Sequence, residues 1–260
     1  VTVHFIGAGP GAPDLITVRG ADLVAHCPVV LYAGSLVPRA VIARAAPGAR
    51  VLDSSGMTLD QIVAEMAAAH RAGQDVARVH TGDPCLFGAI AEQMRRLDAL
   101  GIPYAVVPGV SSFTAAAAAL RRELTAPGVS QAVILARAPG RTPVPAGQRP
   151  EELARSGATL ALFLSAELVE EVARGLLPAY GGDCPAAVVQ RASWPDERVV
   201  RGTLSTIAAE VRAAGIDATA MILVGPALGA EGCQDSRLYA SEFGHRFRPL
   251  RREGEDGHGA

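Results

Sequence analysis

An α/β fold in two domains follows from three features of the sequence. Apolar runs of strand length alternate with longer stretches in which apolar residues recur every three or four positions. Several of the runs in the first half end in glycine-bearing turns. At Leu124-Thr125-Ala126-Pro127-Gly128 the pattern breaks and then resumes. We therefore expect an N-terminal α/β domain over residues 1–123, a C-terminal α/β domain over 129–229, and an extension over 230–260. Alternating strands and helices in the first half imply a mostly parallel sheet covered on both faces, its loops collecting at the strand C-terminal ends.

Residues 1–6 read as a strand running into Gly7-Ala8-Gly9-Pro10-Gly11, and residues 15–25 carry a helical pattern. A dinucleotide-binding fingerprint would need GxGxxG leading straight into a helix and a carboxylate after the next strand. Pro10 interrupts the turn, and the next strand, 29–32, ends in Tyr32-Ala33-Gly34-Ser35 without an acid. Both departures count against NAD. A short helix over 37–46 and a strand over 50–53 follow. Residues 58–72 form an amphipathic helix with Leu59, Ile62, Val63 and Met66 on one face, stopped by Gly73.

The strand at 76–79 ends in Thr81-Gly82-Asp83-Pro84, and a helical pattern over 88–100 begins just beyond. This turn has the makings of a binding loop. Gly82 removes a side chain where a ligand could approach the backbone, Asp83 offers acceptors for a hydroxyl pair, and Pro84 fixes the loop's exit. Next come a strand at 104–107 and Pro108-Gly109-Val110-Ser111-Ser112, which opens an alanine-rich helix.

The second half begins with a strand over 132–136 leading into Arg137-Ala138-Pro139-Gly140-Arg141-Thr142-Pro143, a polar loop carrying two arginines. A buried strand over 159–164 and a helix over 167–177 come next. Residues 186–190 and 198–202 are placed to pair as neighbouring strands around Ser193-Trp194-Pro195-Asp196. A helix over 204–214 and a strand over 221–224 complete the pattern. From about residue 229 the periodicity dissolves, and the tail from Arg251 onward has a disordered composition.

Composition narrows the function. With 260 residues, 49% of them hydrophobic, the chain can bury a sizeable core, and a net charge of −2 gives no global attraction to nucleic acid or to an anionic membrane. All the basic residues are Arg, whose planar fork grips carboxylates well. Cys27, Cys85, Cys184 and Cys233 lack zinc-site spacing, so reduced thiols in a cytoplasmic protein without a bound metal are expected. No apolar stretch is long enough to span a bilayer. There is no Ser/His/Asp or paired-carboxylate pattern of a hydrolase. His80, at a strand end, reads as a satisfied structural histidine; Trp194 as packing a turn or a dimer face; Asp53 and Asp60 as helix-start and loop residues.

The turns GAGPG, HTGDP and VPGVSS, in that order and spacing, resemble those of the tetrapyrrole methylase family. The likeness extends to about residue 229. Four more stretches, LYAGSLV (31–37), DSSGMTLD (53–60), ARAPGRTPVP (136–145) and RASWPDERVVRGT (191–203), are similar to the branch that methylates precorrin-4, or its cobalt counterpart, at carbon 11. The resemblance implies a homodimer of two-domain α/β chains, with S-adenosyl-L-methionine bound in a cleft between the domains. It implies donor contacts at Pro10, at Thr81, Gly82, Asp83 and Leu86, and at Ser111 and Ser112. From the second domain it implies Leu164 on its buried strand, Ala192, and Ala220 with Met221.

A macrocycle bearing acetates and propionates further calls for arginines, foremost Arg137 and Arg141, then Arg191, with Tyr32 and Ser35 against the ring. No residue is assigned as a general base. Two other readings stay open: a sister methylase acting at another ring position or on uroporphyrinogen III, and a non-catalytic protein that sequesters a corrinoid precursor or nucleotide.

Overall fold

The computed structural model describes residues 1–34, 36–229 and 235–249. The first half folds into β1 (Val3–Gly7), α1 (Val18–His26), β2 (Val29–Tyr32), α2 (Arg39–Ile42), β3 (Arg50–Asp53), α3 (Leu59–Arg71), β4 (Val76–His80), α4 (Ala91–Ala99), β5 (Tyr104–Val107) and α5 (Ser112–Leu120). Its strands form an all-parallel sheet in the order β3-β2-β4-β1-β5. Because β4, β1 and β5 are neighbours, the turns that follow them leave the sheet side by side. That is where parallel α/β sheets hold ligands.

Side-chain alternation gives this sheet two buried faces. Val3, Phe5, Leu31 and Val76 pack with Ile62, Val63 and Met66 of α3 and Leu97 of α4. Ile6, Val30, Ala77 and Val79 pack on the other face with Val24 of α1 and Val41 of α2. Helix α3 starts on a capping box: the Thr58 hydroxyl accepts from the Gln61 amide at 3.3 Å, and the Gln61 side chain accepts from the Thr58 amide at 2.8 Å. Beyond its C-terminus Gly73 takes φ +71°, a left-handed geometry suited to glycine.

The second half contains β6 (Val133–Arg137), α6 (Pro150–Leu153), β7 (Thr159–Phe163), α7 (Val169–Tyr180), β8 (Pro185–Gln190), β9 (Arg198–Thr203), α8 (Ile207–Ala213) and β10 (Ala220–Val224). The sheet order is β6-β7-β10-β8-β9, parallel between β6 and β7 and antiparallel elsewhere. As expected, β8 and β9 pair, with Val188 opposite Val200. One face of the sheet packs Leu160, Leu162, Val188 and Ile222 against Leu176 of α7 and Val211 of α8. The other face carries Ala161, Phe163, Val189 and Leu223, and it is covered by Ala115, Ala116 and Leu120 of α5. An alanine surface lets that helix approach the sheet closely, so α5, which follows β5 of the first sheet, packs on the second.

Several boundaries differ from the sequence expectation. Residues 84–90 turn before α4 begins at Ala91, because Phe87 and Ala89 take left-handed φ values of +54° and +50°. Within 37–46 only Arg39–Ile42 is α-helical, and α8 begins at Ile207 rather than 204. The short helix α6, followed by a 3-10 turn at Ala154–Ser156, had no signal strong enough to place it. Strand β7 ends at Phe163, so Leu164 is not on a buried strand: it follows it at φ +52° and is 69% exposed. The tail from Arg251 lies outside the described residues.

Candidate functional site

The three glycine turns of the first half meet through their backbones. The Ala8 amide donates to the carbonyl of His80 (2.7 Å), and Gly9 and Gly82 exchange amide-to-carbonyl hydrogen bonds of 2.8 and 3.3 Å. A side chain at Gly7 would press its Cβ to 2.6 Å from both the Gly82 oxygen and the Gly109 Cα, and one at Gly109 would collide with the same oxygen. These two glycines are required by close approach rather than by turn shape.

Asp83 fastens the second turn to the third. One of its carboxylate oxygens accepts from the Cys85 amide (2.8 Å) and the other from the Gly109 amide (2.9 Å). Both oxygens of Asp83 thus hold backbone, and since each carboxylate oxygen can accept a second hydrogen bond and the residue borders the cavity, acceptors for a hydroxyl pair remain.

The second half reaches this cluster through the loop between β8 and β9. Within it, Arg191 forms an ion pair with Asp196 and lies over the Trp194 ring, 5.6 Å from its centroid. The Trp194 indole N–H donates to the carbonyl of Pro10 (2.9 Å), and the Ser193 hydroxyl accepts from the Ala12 amide (2.9 Å). Trp194 thus packs the first turn, as a turn-packing residue should, and it also borders the cavity.

Between these elements lies a cavity of about 700 Å³. Pro10, Thr81, Gly82, Asp83, Leu86, Ser111 and Ser112 line it from the first half, and Leu164, Ala192, Ala220 and Met221 from the second. All eleven residues expected at the donor are therefore brought together. So are Arg137, Arg141 and Arg191. The wall combines backbone polar groups of small residues with apolar surface from Leu86, Leu164, Val189 and Met221, a lining suited to a ligand with both polar edges and apolar faces.

The three arginines are not equivalent. Arg137 donates through Nη1 to the carbonyls of Thr142 (3.1 Å) and Ala138 (3.4 Å) and through Nη2 to that of Pro143 (2.6 Å). Its fork braces its own loop instead of standing open to a carboxylate. Arg191 is committed to Asp196 and Trp194. Arg141 is exposed, and among the described residues its guanidinium has no hydrogen-bond or ion-pair partner.

One other expectation falls away from the cavity. Tyr32 packs against the α1/α2 face of the first sheet, where its carbonyl accepts from the Ser54 amide, and it is not among the lining residues. Ser35 lies outside the described residues. Conversely, sequence reasoning missed Phe87, 46% exposed, whose ring centroid stands 4.9 Å from that of Phe163, both residues lining the cavity. It also missed Phe163 itself and the 217–219 segment. An aromatic directly after Leu86 was the available signal for Phe87; the others depend on how two distant segments meet.

Beneath the turns, Arg78 and His80 are 4% and 5% exposed. Arg78 donates to the Gln93 side chain (3.1 Å), the Ser54 hydroxyl (2.9 Å) and the Leu31 carbonyl (3.4 Å), and burial lowers its pKa to about 10, so it remains charged. Burial, with the Arg78 charge adding to it, lowers the His80 pKa to about 3. The imidazole is neutral near pH 7, and its Nε2 is buried without a hydrogen-bond partner. His80 is buried as a structural histidine should be, yet it is not fully satisfied.

A family model for tetrapyrrole (corrin/porphyrin) methylases matches residues 2–208. The chain is 55% identical to a precorrin-4 C(11)-methyltransferase of Rhodococcus erythropolis, over 93% of this chain and 97% of the relative. Its fold superposes with a TM-score of 0.85 on the X-ray structure of a cobalt precorrin-4 methyltransferase, CbiF, at 49% identity over 87% of this chain and 95% of the other. It also superposes on a uroporphyrin-III C-methyltransferase of Thermus thermophilus complexed with S-adenosylhomocysteine, with a TM-score of 0.74 and 28% identity, covering 89% of this chain and 100% of that one.

Proposed function

The chain belongs to the tetrapyrrole methylases, and from that premise we propose that it transfers a methyl group from S-adenosyl-L-methionine to carbon 11 of precorrin-4 in cobalamin biosynthesis. The observation that carries this reading to the level of residues is the shared cavity. Eleven positions scattered from Pro10 to Met221 border one space, whose volume falls in the range of small-molecule sites.

The donor brings an activated methyl on a sulfonium, a group that departs as a neutral thioether. The protein's part is to bind and orient. Small residues in the three turns let backbone groups reach the donor's polar edges, while Leu86, Leu164 and Met221 supply its apolar cover. Holding donor and acceptor in one orientation replaces a bimolecular encounter by a near-unimolecular step, the largest contribution expected for a displacement of this kind. An electron-rich pyrrole-derived carbon can attack before its proton leaves, so no side chain is assigned to proton removal. Arg141, unengaged at the cavity, is our choice for a carboxylate of the macrocycle.

The cobalt-containing precorrin-4 is the alternative acceptor, since a ring grasped by its carboxylates need not be sorted by its centre. The LYAGS and RTPVP stretches favour either of these over uroporphyrinogen III. We further read the chain as a homodimer, which sedimentation equilibrium tests. Calorimetry with S-adenosylhomocysteine tests the donor site itself: saturable one-to-one binding is expected, and no heat at any concentration would refute it.

A further inference from the structure

We infer that Ser193 and Trp194 form a latch that sets the geometry of the donor site, making both of them positioning residues for methyl transfer. This rests on the donor reading of the cavity given above. Two hydrogen bonds, reciprocal in sense, cross between segments 181 and 184 positions apart: Ala12 N–H to Ser193 Oγ and Trp194 Nε1–H to the Pro10 carbonyl, each 2.9 Å. Both ends belong to the cavity wall. Pro10 lines it from the first turn, and Ala192, which immediately precedes the latch, lines it from the second half.

The surroundings are shaped for this contact. Gly11 lies flat against the indole, and a Cβ there would overlap the ring. Arg191 and Ser193 take left-handed φ values of +49° and +69°, which non-glycine residues adopt only when their surroundings enforce it. The enforcing contacts are present: the Arg191 amide donates to the Thr219 carbonyl (2.9 Å), the Ser193 amide to the Glu197 carboxylate (2.7 Å), and Arg191 is fixed by Asp196. The loop is therefore braced on its own side and offers one donor and one acceptor to the other half. The Arg141 loop shares none of these bonds. The latch consequently governs the donor's wall and leaves the acceptor's arginine free to move.

The test uses Trp194→Phe, which keeps an aromatic ring, though a smaller one, and removes the N–H, and Ser193→Ala, which removes the acceptor and leaves the indole in place. Each should weaken S-adenosylhomocysteine binding about three- to tenfold, the loss of one net hydrogen bond. The KM for the donor should rise by the same factor, with the KM for the tetrapyrrole unchanged and melting lowered by no more than a few degrees. Trp194 is the sole tryptophan, so in wild type and in Ser193→Ala its fluorescence should shift on addition of the ligand. Affinity within about 1.5-fold of wild type in both variants would overturn the latch. So would equal rises in both KM values together with a large fall in melting temperature, the mark of a merely structural role. A wild-type protein that bound no S-adenosylhomocysteine would instead remove the donor reading beneath it.

Discussion

The carboxylate of Asp83 holds the backbone amide of Gly109 at 2.9 Å, joining two turns that are 26 residues apart in sequence. With the Gly9–Gly82 exchange, this makes the three turns one rigid floor rather than three separate loops. Replacing Asp83 by Asn leaves one oxygen and puts an amide group where the second acceptor stood. We expect a loss of about 1–3 kcal/mol of stability, as for an orphaned backbone donor, and at least about tenfold weaker S-adenosylhomocysteine binding. Chemical denaturation and calorimetry on Asp83→Asn check both effects; unchanged affinity would mean that the floor is not the donor's seat.

Arg141→Ala should raise the KM for the tetrapyrrole about five- to thirtyfold, the worth of a charge-assisted contact in a partly open site. Affinity for S-adenosylhomocysteine should not change, and Arg141→Lys should recover part of the loss. Steady-state kinetics varying each substrate in turn separates the effects. An unaltered tetrapyrrole KM would remove Arg141 from the site.

His80 gives a pH signature. Its pKa in the folded chain, about 3, lies below the ordinary value of 6.5, so between these limits the unfolded chain binds the proton and the folded chain does not. Stability from this group is complete above pH 6.5 and is lost progressively as pH falls toward 3. Denaturation midpoints at pH 7.5, 6 and 5 should therefore decline more steeply in wild type than in His80→Phe. Parallel declines in the two proteins would show that His80 is protonated normally in the fold.

The capping box at α3 supplies a control remote from the cavity. Thr58→Ala should cost about 1 kcal/mol and lower Tm by about 2–4 °C, with both KM values unchanged. Thermal melts and kinetics on that variant calibrate how much activity stability alone governs.

What could be read from the sequence, and what could not, divides along physical lines. The strands, α3 with its stop at Gly73, and the turns after β1, β4 and β5 follow from period and turn chemistry, which are local. The convergence of Pro10 with Ala192 depends on β8 and β9 folding back together, a long-range event that only the resemblance to a family anticipated. Hydrogen-bond commitment was not legible at all. Residue type marks Asp83, Arg137 and Arg141 alike as polar site residues; only the fold reveals that the first two are tied to backbone and the third is not. The placing of Tyr32 on the α1/α2 face was illegible for a similar reason, because a strand-end aromatic points to core or to cleft according to a register that sequence does not fix. Phe87 sits in the turn before α4 with a left-handed backbone, a geometry that its residue type does not signal.

The account stands or falls on one transfer reaction. The protein should be incubated with S-adenosyl-L-methionine carrying a ¹³C methyl and with enzymatically prepared precorrin-4, with and without cobalt, and the product analysed by mass and carbon NMR. The account predicts a single added methyl located at C-11; transfer to any other carbon, or none to either form of the ring, would contradict it.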